Sequence, residues 1–147
     1  MLPNKSGKIG RVSMLNIIRT FLLLATALII GCASSPSGKS VESAMGEWRY
    51  EFQRPSGQLA HGKMTIIDET KATYGFDNGR ILFYAVDDQG KWEGYWVEDS
   101  GAGCPDKKDG STNWGVAIFQ FDDAYNQFEG TWNHCGEGRK LRWTGAR

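Results

Sequence analysis

The sequence predicts an all-β domain, a small antiparallel up-and-down β-barrel of about eight strands. Three observations predict it. From Gly46 onward the apolar residues recur with a period of two rather than 3.6. Short turn-forming clusters separate the apolar runs, so neighbours in sequence are expected to pair antiparallel. Glycines recur on the same strand face as large aromatics, as a curved wall requires if rings from facing strands are to fit. No stretch past residue 45 offers three turns of amphipathic helix.

The elements follow in order. Trp48, Tyr50 and Phe52 alternate with Glu47, Arg49, Glu51 and Gln53, giving a first strand with one apolar and one wet face. Further runs are expected at Gly62–Asp68, Ala72–Phe76, Ile81–Asp87, Trp92–Asp99, Trp114–Phe121, Gln127–His134 and Lys140–Arg147. Between them lie Pro55-Ser56-Gly57, Asp68-Glu69-Thr70, Asp77-Asn78-Gly79, Asp88-Gln89-Gly90, the long stretch 100–113, residues 122–126 and Gly136-Glu137-Gly138. Asn78-Gly79 is a strong tight-hairpin signal with both residues at positive φ. Trp92-Glu93-Gly94-Tyr95-Trp96 repeats as Phe128-Glu129-Gly130-Thr131-Trp132, and Trp143-Thr144-Gly145 echoes it. Two readings stay open: aromatics packed on glycines as core, or a pocket for a ring or sugar lined by Trp92, Trp96, Trp132 and Trp143. Glu93, Glu98 and Glu129 are assigned to the wet face opposite the tryptophans.

The 147 residues carry 17 Lys+Arg and 17 Asp+Glu, but unevenly. Residues 1–32 hold Lys5, Lys8, Arg11 and Arg19 and no acid, so the remainder has an acidic surplus of four. An acidic domain argues against a nucleic-acid partner. All six Trp and all five Tyr lie after residue 45, which argues against a disordered chain.

The apolar run Phe21–Ile30 follows the four bases and is too short for a bilayer-spanning helix, which needs about 20 residues. A basic stretch, a short apolar core and small residues describe an export signal. Its end, Ile29-Ile30-Gly31-Cys32, resembles the signal of bacterial lipoproteins. That resemblance covers residues 14–35 and implies a signal peptide over residues 1–31, cleavage before Cys32, and lipidation of Cys32 with acyl chains such as palmitate. The bilayer is then a partner through the acyl anchor, each buried methylene contributing about 0.8 kcal/mol. Ala33 and Ser34 stand where an Asp commonly retains such proteins in the inner membrane. The resemblance therefore implies the bacterial cell envelope, at the outer membrane facing the periplasm. Met14 is an alternative start to Met1. Residues 32–45 are small and polar and read as a flexible linker.

With Cys32 lipidated, Cys104 and Cys135 remain as an even pair in an oxidising compartment. In an up-and-down order both fall in connections at the same end of the barrel, on either side of the sixth strand. A disulfide there would pin the only long loop and contribute roughly 3–4 kcal/mol.

The chain also resembles the small calycin-type barrels, the avidin and lipocalin groups, in style. From Trp92 to Arg147 it resembles a poorly characterised bacterial domain with Phe-Glu-Gly-x-Trp and Trp-x-Gly-x-Arg signals. These likenesses imply a fold and no activity.

Catalytic signatures are missing. There is no Gly-x-Ser-x-Gly, no Ser-x-x-Lys and no His-Glu-x-x-His. His61 and His134, with Asp77, Asp106 and Asp109, are expected at the disulfide end, but not at a zinc-ligand spacing. No catalytic residue, metal site or cofactor is assigned. The expected function is an envelope lipoprotein with a non-catalytic binding or scaffolding barrel. Its partner would be a small apolar or sugar-like ligand or another envelope protein, met at the disulfide end. The alternatives are an envelope hydrolase, or an inhibitor of a cell-wall-degrading enzyme by analogy with the lipoprotein inhibitors of lysozyme, which are also small bridged barrels.

Overall fold

A computed structural model describes residues 40–147; the segment expected to be an export signal, and Cys32, lie outside the described residues. Eight antiparallel strands form a closed barrel in sequence order: β1 Gly46–Gln53, β2 Leu59–Asp68, β3 Lys71–Tyr74, β4 Gly79–Val86, β5 Lys91–Glu98, β6 Asn113–Phe121, β7 Gln127–His134 and β8 Glu137–Ala146. Closure runs through β1 and β8, where Phe52 pairs with Trp143 and Tyr50 with Gly145. Among the described residues no strand edge is left open, as expected for the up-and-down barrel.

The period-two pattern is what allows one face to fill the interior. Trp48, Tyr50 and Phe52 of β1 point in and are buried. So do Met64 and Ile66, Tyr74, Ile81 and Phe83, Trp92 and Trp96, Phe119 and Phe121, Phe128 and Trp132, and Trp143. Inward glycines sit directly opposite rings on the neighbouring strand. The pairs are Gly62 with Tyr50, Gly79 with Tyr74, Gly115 with Trp96, Gly130 with Phe119, and Gly145 with Phe128. A Cβ at any of the five would collide with the opposing ring. The glycines thus let aromatics lie flat against the wall, which fills a narrow barrel with rings.

The two ends differ. At one end Trp48 and Trp92 are fully buried, and Phe121 packs on both at 5.2 and 5.3 Å. Residues read as linker close this end: Val41–Ala44 form a 3₁₀ turn, Ala44 is fully buried, and its carbonyl accepts the Trp48 indole N–H at 2.8 Å. The segment is small and polar in sequence, so only its contacts with Trp48 and the core reveal it as a plug. The Arg147 guanidinium lies 4.5 Å from the centre of the Trp48 ring and donates to the Met45 carbonyl.

At the opposite end lie the β1–β2, β3–β4, β5–β6 and β7–β8 connections. The β3–β4 turn is centred on Asp77 and Asn78, with φ of 47° and 50°, one residue before the expected Asn78-Gly79. Gly79 N–H closes the turn on the Phe76 carbonyl at 2.8 Å. Gly79 has moved into β4 because Tyr74 covers it. Cys104 and Cys135 form a disulfide, with Cα atoms 5.4 Å apart. The long loop after β5 crosses the rim and then folds down outside the wall. There Cys104, Val97 and Trp114 make a second small core. Trp114 alone among the tryptophans faces outward. Its indole N–H donates to the Asp106 carbonyl at 3.0 Å, and the Lys108 ammonium sits 4.9 Å from its ring.

Candidate functional site: an aromatic cup at the disulfide end

The barrel is packed at its plugged end and hollow at the disulfide end. The hollow is a cup of about 780 Å³, within the range of small-molecule sites. Phe52, Tyr74, Phe76, Trp96, Trp132 and Trp143 form most of its wall, and Arg54, Asp77, Glu98, Asn113 and His134 its polar part.

The wall is a continuous girdle. Trp96 meets Trp132 edge to face at 5.4 Å, and Trp132 meets Phe52 at 5.9 Å. Phe52 meets Trp143 at 5.5 Å, and Trp143 meets Tyr74 at 5.3 Å. Tyr74 then donates its hydroxyl to Glu98 at 2.8 Å, and Glu98 stands two residues from Trp96 on β5. Hydrogen bonds hold two of the indoles in place: Trp96 Nε1 donates to the Asn133 carbonyl at 2.9 Å and Trp132 Nε1 to the Gln53 carbonyl at 3.0 Å. Trp143 Nε1 and Arg54 Nε are buried and have no hydrogen-bond partner among the described residues.

Glu98 corrects the sequence reading, which put it on the wet face. It shares parity with Trp92 and Trp96 and therefore faces inward. One carboxylate oxygen accepts from Tyr74, the other from Asn113 Nδ2 at 3.2 Å. Burial raises its pKa above the ordinary carboxylate range, opposed by the Tyr74 bond; Asp77 adds repulsion, and Asn113 and Arg54 pull the other way. The Tyr74 hydroxyl is likewise pushed up, by burial first and by the Glu98 charge second. No ion pair to Glu98 occurs among the described residues.

The rim is braced. Asp77 accepts from the Ser100 amide at 2.8 Å and hydroxyl at 2.7 Å. Arg80 binds Asp99 at 3.1 Å, the Asp109 carbonyl at 2.9 Å and the Asp109 carboxylate. Gly101, at φ 135°, passes so close to the Asn113 side chain that a Cβ would not fit. The rim of the cup is therefore a fixed loop, tied at Cys104, Asp99 and Asp109.

Of the candidate tryptophans, Trp96, Trp132 and Trp143 line the cup. Trp92 does not; it is buried nearer the plugged end, edge to face with Phe83 at 4.9 Å. The core and pocket readings thus divide the interior between them. The two histidines are not brought together. His61 lies on the outer face of β2, 3.3 Å from Glu51, whereas His134 lines the cup. His134 Nε2 is 2.9 Å from the Ala102 carbonyl, which places its proton on that nitrogen. Ligand atoms of Cys104, His134 and Cys135 lie within 4.8 Å of one another, but the two sulfurs are bonded to each other.

No family model matches the chain, and neither a curated protein nor a solved structure matches it.

Proposed function

We propose that this chain is a lipid-anchored binding protein of the bacterial cell envelope. Its cup takes a small ligand with a flat apolar face and a polar edge. One observation carries the reading: the interior is filled at one end and open at the other, where the opening is ringed by aromatic side chains on a braced rim. Rings offer dispersion and stacking to a ligand face without losing much conformational entropy, because each is already packed. The Ile29-Ile30-Gly31-Cys32 pattern supports the anchor, and the acyl chains on Cys32 would hold the barrel at the outer membrane, facing the periplasm. Fluorescence of the tryptophans, titrated with small aromatic amphiphiles, sugars and short-chain lipids, tests binding. A saturable response is expected in the native chain and is expected to vanish in Ala102→Trp, which fills the mouth. No response to any class would contradict the reading. Incorporation of labelled palmitate in cells, lost in Cys32→Ala, tests the anchor.

The hydrolase reading gains one observation, the half-buried Glu98 in an apolar cup, the environment of a general acid or base. Its carboxylate bonds a phenol and an amide, while the nearby Ser111 hydroxyl donates to the Glu98 backbone carbonyl and the Ser100 hydroxyl to Asp77, so neither serine is paired with the Glu98 carboxylate as a nucleophile with its base. Binding is therefore the better supported reading.

A further inference from the structure

The reading of the cup as a small-molecule site leaves the chemistry of its occupant open, and the wall narrows it. Among the described residues, Glu98 is an inward-facing carboxylate with two neutral hydrogen-bond donors and no ion-pair partner. Among the described residues, no cation that lines or borders the mouth forms an ion pair with Glu98, and the Arg54 charge acts on it only from a distance. The Arg54 guanidinium lies 5.2 Å from the centre of the Phe76 ring, and Arg80 is bound to Asp99 and Asp109. Asp77, the other acid of the cup, is held by Ser100. The ring faces carry the negative side of the aromatic quadrupole. A cation is the charge type that both the rings and the carboxylate attract. An anion would be repelled by Glu98, and a neutral polar group would leave its carboxylate without a direct ion-pair partner.

We propose that the cup selects ligands bearing an organic ammonium group, with the cation seated at Glu98 and the ligand body against the rings of Trp96, Trp132 and Trp143. This rests on the binding reading and specifies its ligand class. Glu98 supplies the charge recognition, the tryptophans supply cation–π and stacking attraction, and the disulfide-braced loop keeps the mouth open.

The test uses matched probes on the mature domain: phenethylammonium, 2-phenylethanol and 3-phenylpropanoate, with glucosamine and glucose as a second pair. Affinities come from tryptophan fluorescence and calorimetry. The amine is expected to bind about tenfold or more tighter than its alcohol, and the carboxylate weakest. Glu98→Gln is expected to bring the amine down to the level of the alcohol while leaving the alcohol within about twofold. Tyr74→Phe, which keeps the carboxylate, is expected to retain the preference. Equal binding of amine and alcohol, or a preference that survives in Glu98→Gln, would overturn the ammonium assignment and leave the cup as a binding site. Silence toward all five probes would overturn the assignment, and a silent panel of amphiphiles, sugars and lipids would overturn the binding reading with it.

Discussion

The Tyr74 hydroxyl donates to the Glu98 carboxylate across 2.8 Å, linking β3 to β5 over the intervening β4. The bond closes the ring of side chains around the mouth and sets a carboxylate among aromatics. Burial there raises the Glu98 pKa more than the bonds from Tyr74 and Asn113 lower it.

That relationship has a sign. The folded state binds a proton at Glu98 more tightly than the unfolded chain does, so ionised Glu98 opposes folding. Its stability contribution is present below the ordinary carboxylate pKa and is lost as pH rises through the raised folded value. Tyr74, Tyr50, Asp77 and Arg54 all act electrostatically with Glu98 or Tyr74, and Glu98→Gln leaves all four in place. The melting temperature of Glu98→Gln is expected to exceed that of the native chain at about pH 8, with the gap closing toward about pH 4. A gap that is flat or widens on acidification would contradict this.

The disulfide supplies a second prediction. It ties the rim loop to the turn after β7 and closes a loop between Cys104 and Cys135. Removing it with Cys104→Ala/Cys135→Ala is expected to lower stability by roughly 3 kcal/mol. On a domain of this size that is a fall of about 10–20 °C in Tm. Hydrogen exchange should quicken in residues 99–112 before it does so in β1 or β2. Calorimetry on the double variant that shows an unchanged Tm would contradict the bracing role.

The glycine–ring pairs supply a third. At Gly115 a Cβ would meet the Asn133 backbone oxygen and the Trp96 indole, both fixed groups. Gly115→Ala is expected to cost about 1–3 kcal/mol. Gly75→Ala, whose Cβ would only reach the Lys63 carbonyl at 3.9 Å, is expected to stay within about 0.5 kcal/mol of the native chain. Urea denaturation of the pair checks it; equal losses would show that ring packing is not what these glycines serve.

The plug supplies a fourth. Ala44 is fully buried and its carbonyl satisfies Trp48. Ala44→Glu would place a charge in that closed end and is expected to destabilise by about 3 kcal/mol or more. A near-native melting curve would return residues 41–44 to the linker.

Alternation along Trp48–Phe52 and Trp92–Trp96, with turns at Pro55-Ser56-Gly57 and Asp88-Gln89-Gly90, is enough to specify eight antiparallel strands. Counting connections then places Cys104 and Cys135 at one end. Period two is a local signal and survives without knowledge of contacts. The depth of a side chain along the barrel axis is not local. Trp92 and Trp96 share a face, yet one lies toward the plug and the other in the cup wall. The 3₁₀ plug was hidden for the same reason, since Ala44 matters only through the Trp48 it meets. Glu98 was legible: two residues past Trp96 on an uninterrupted strand, its parity alone placed it inside.

The most direct test of the account is the set of six indole N–H resonances, followed by NMR during titration with phenethylammonium. Trp96, Trp132 and Trp143 are expected to shift in a saturable way. Trp48 and Trp92 in the closed core, and Trp114 under the outer loop, are expected to stay still. Shifts confined to Trp114, or spread evenly over all six, would place the ligand elsewhere and contradict the cup as the binding site.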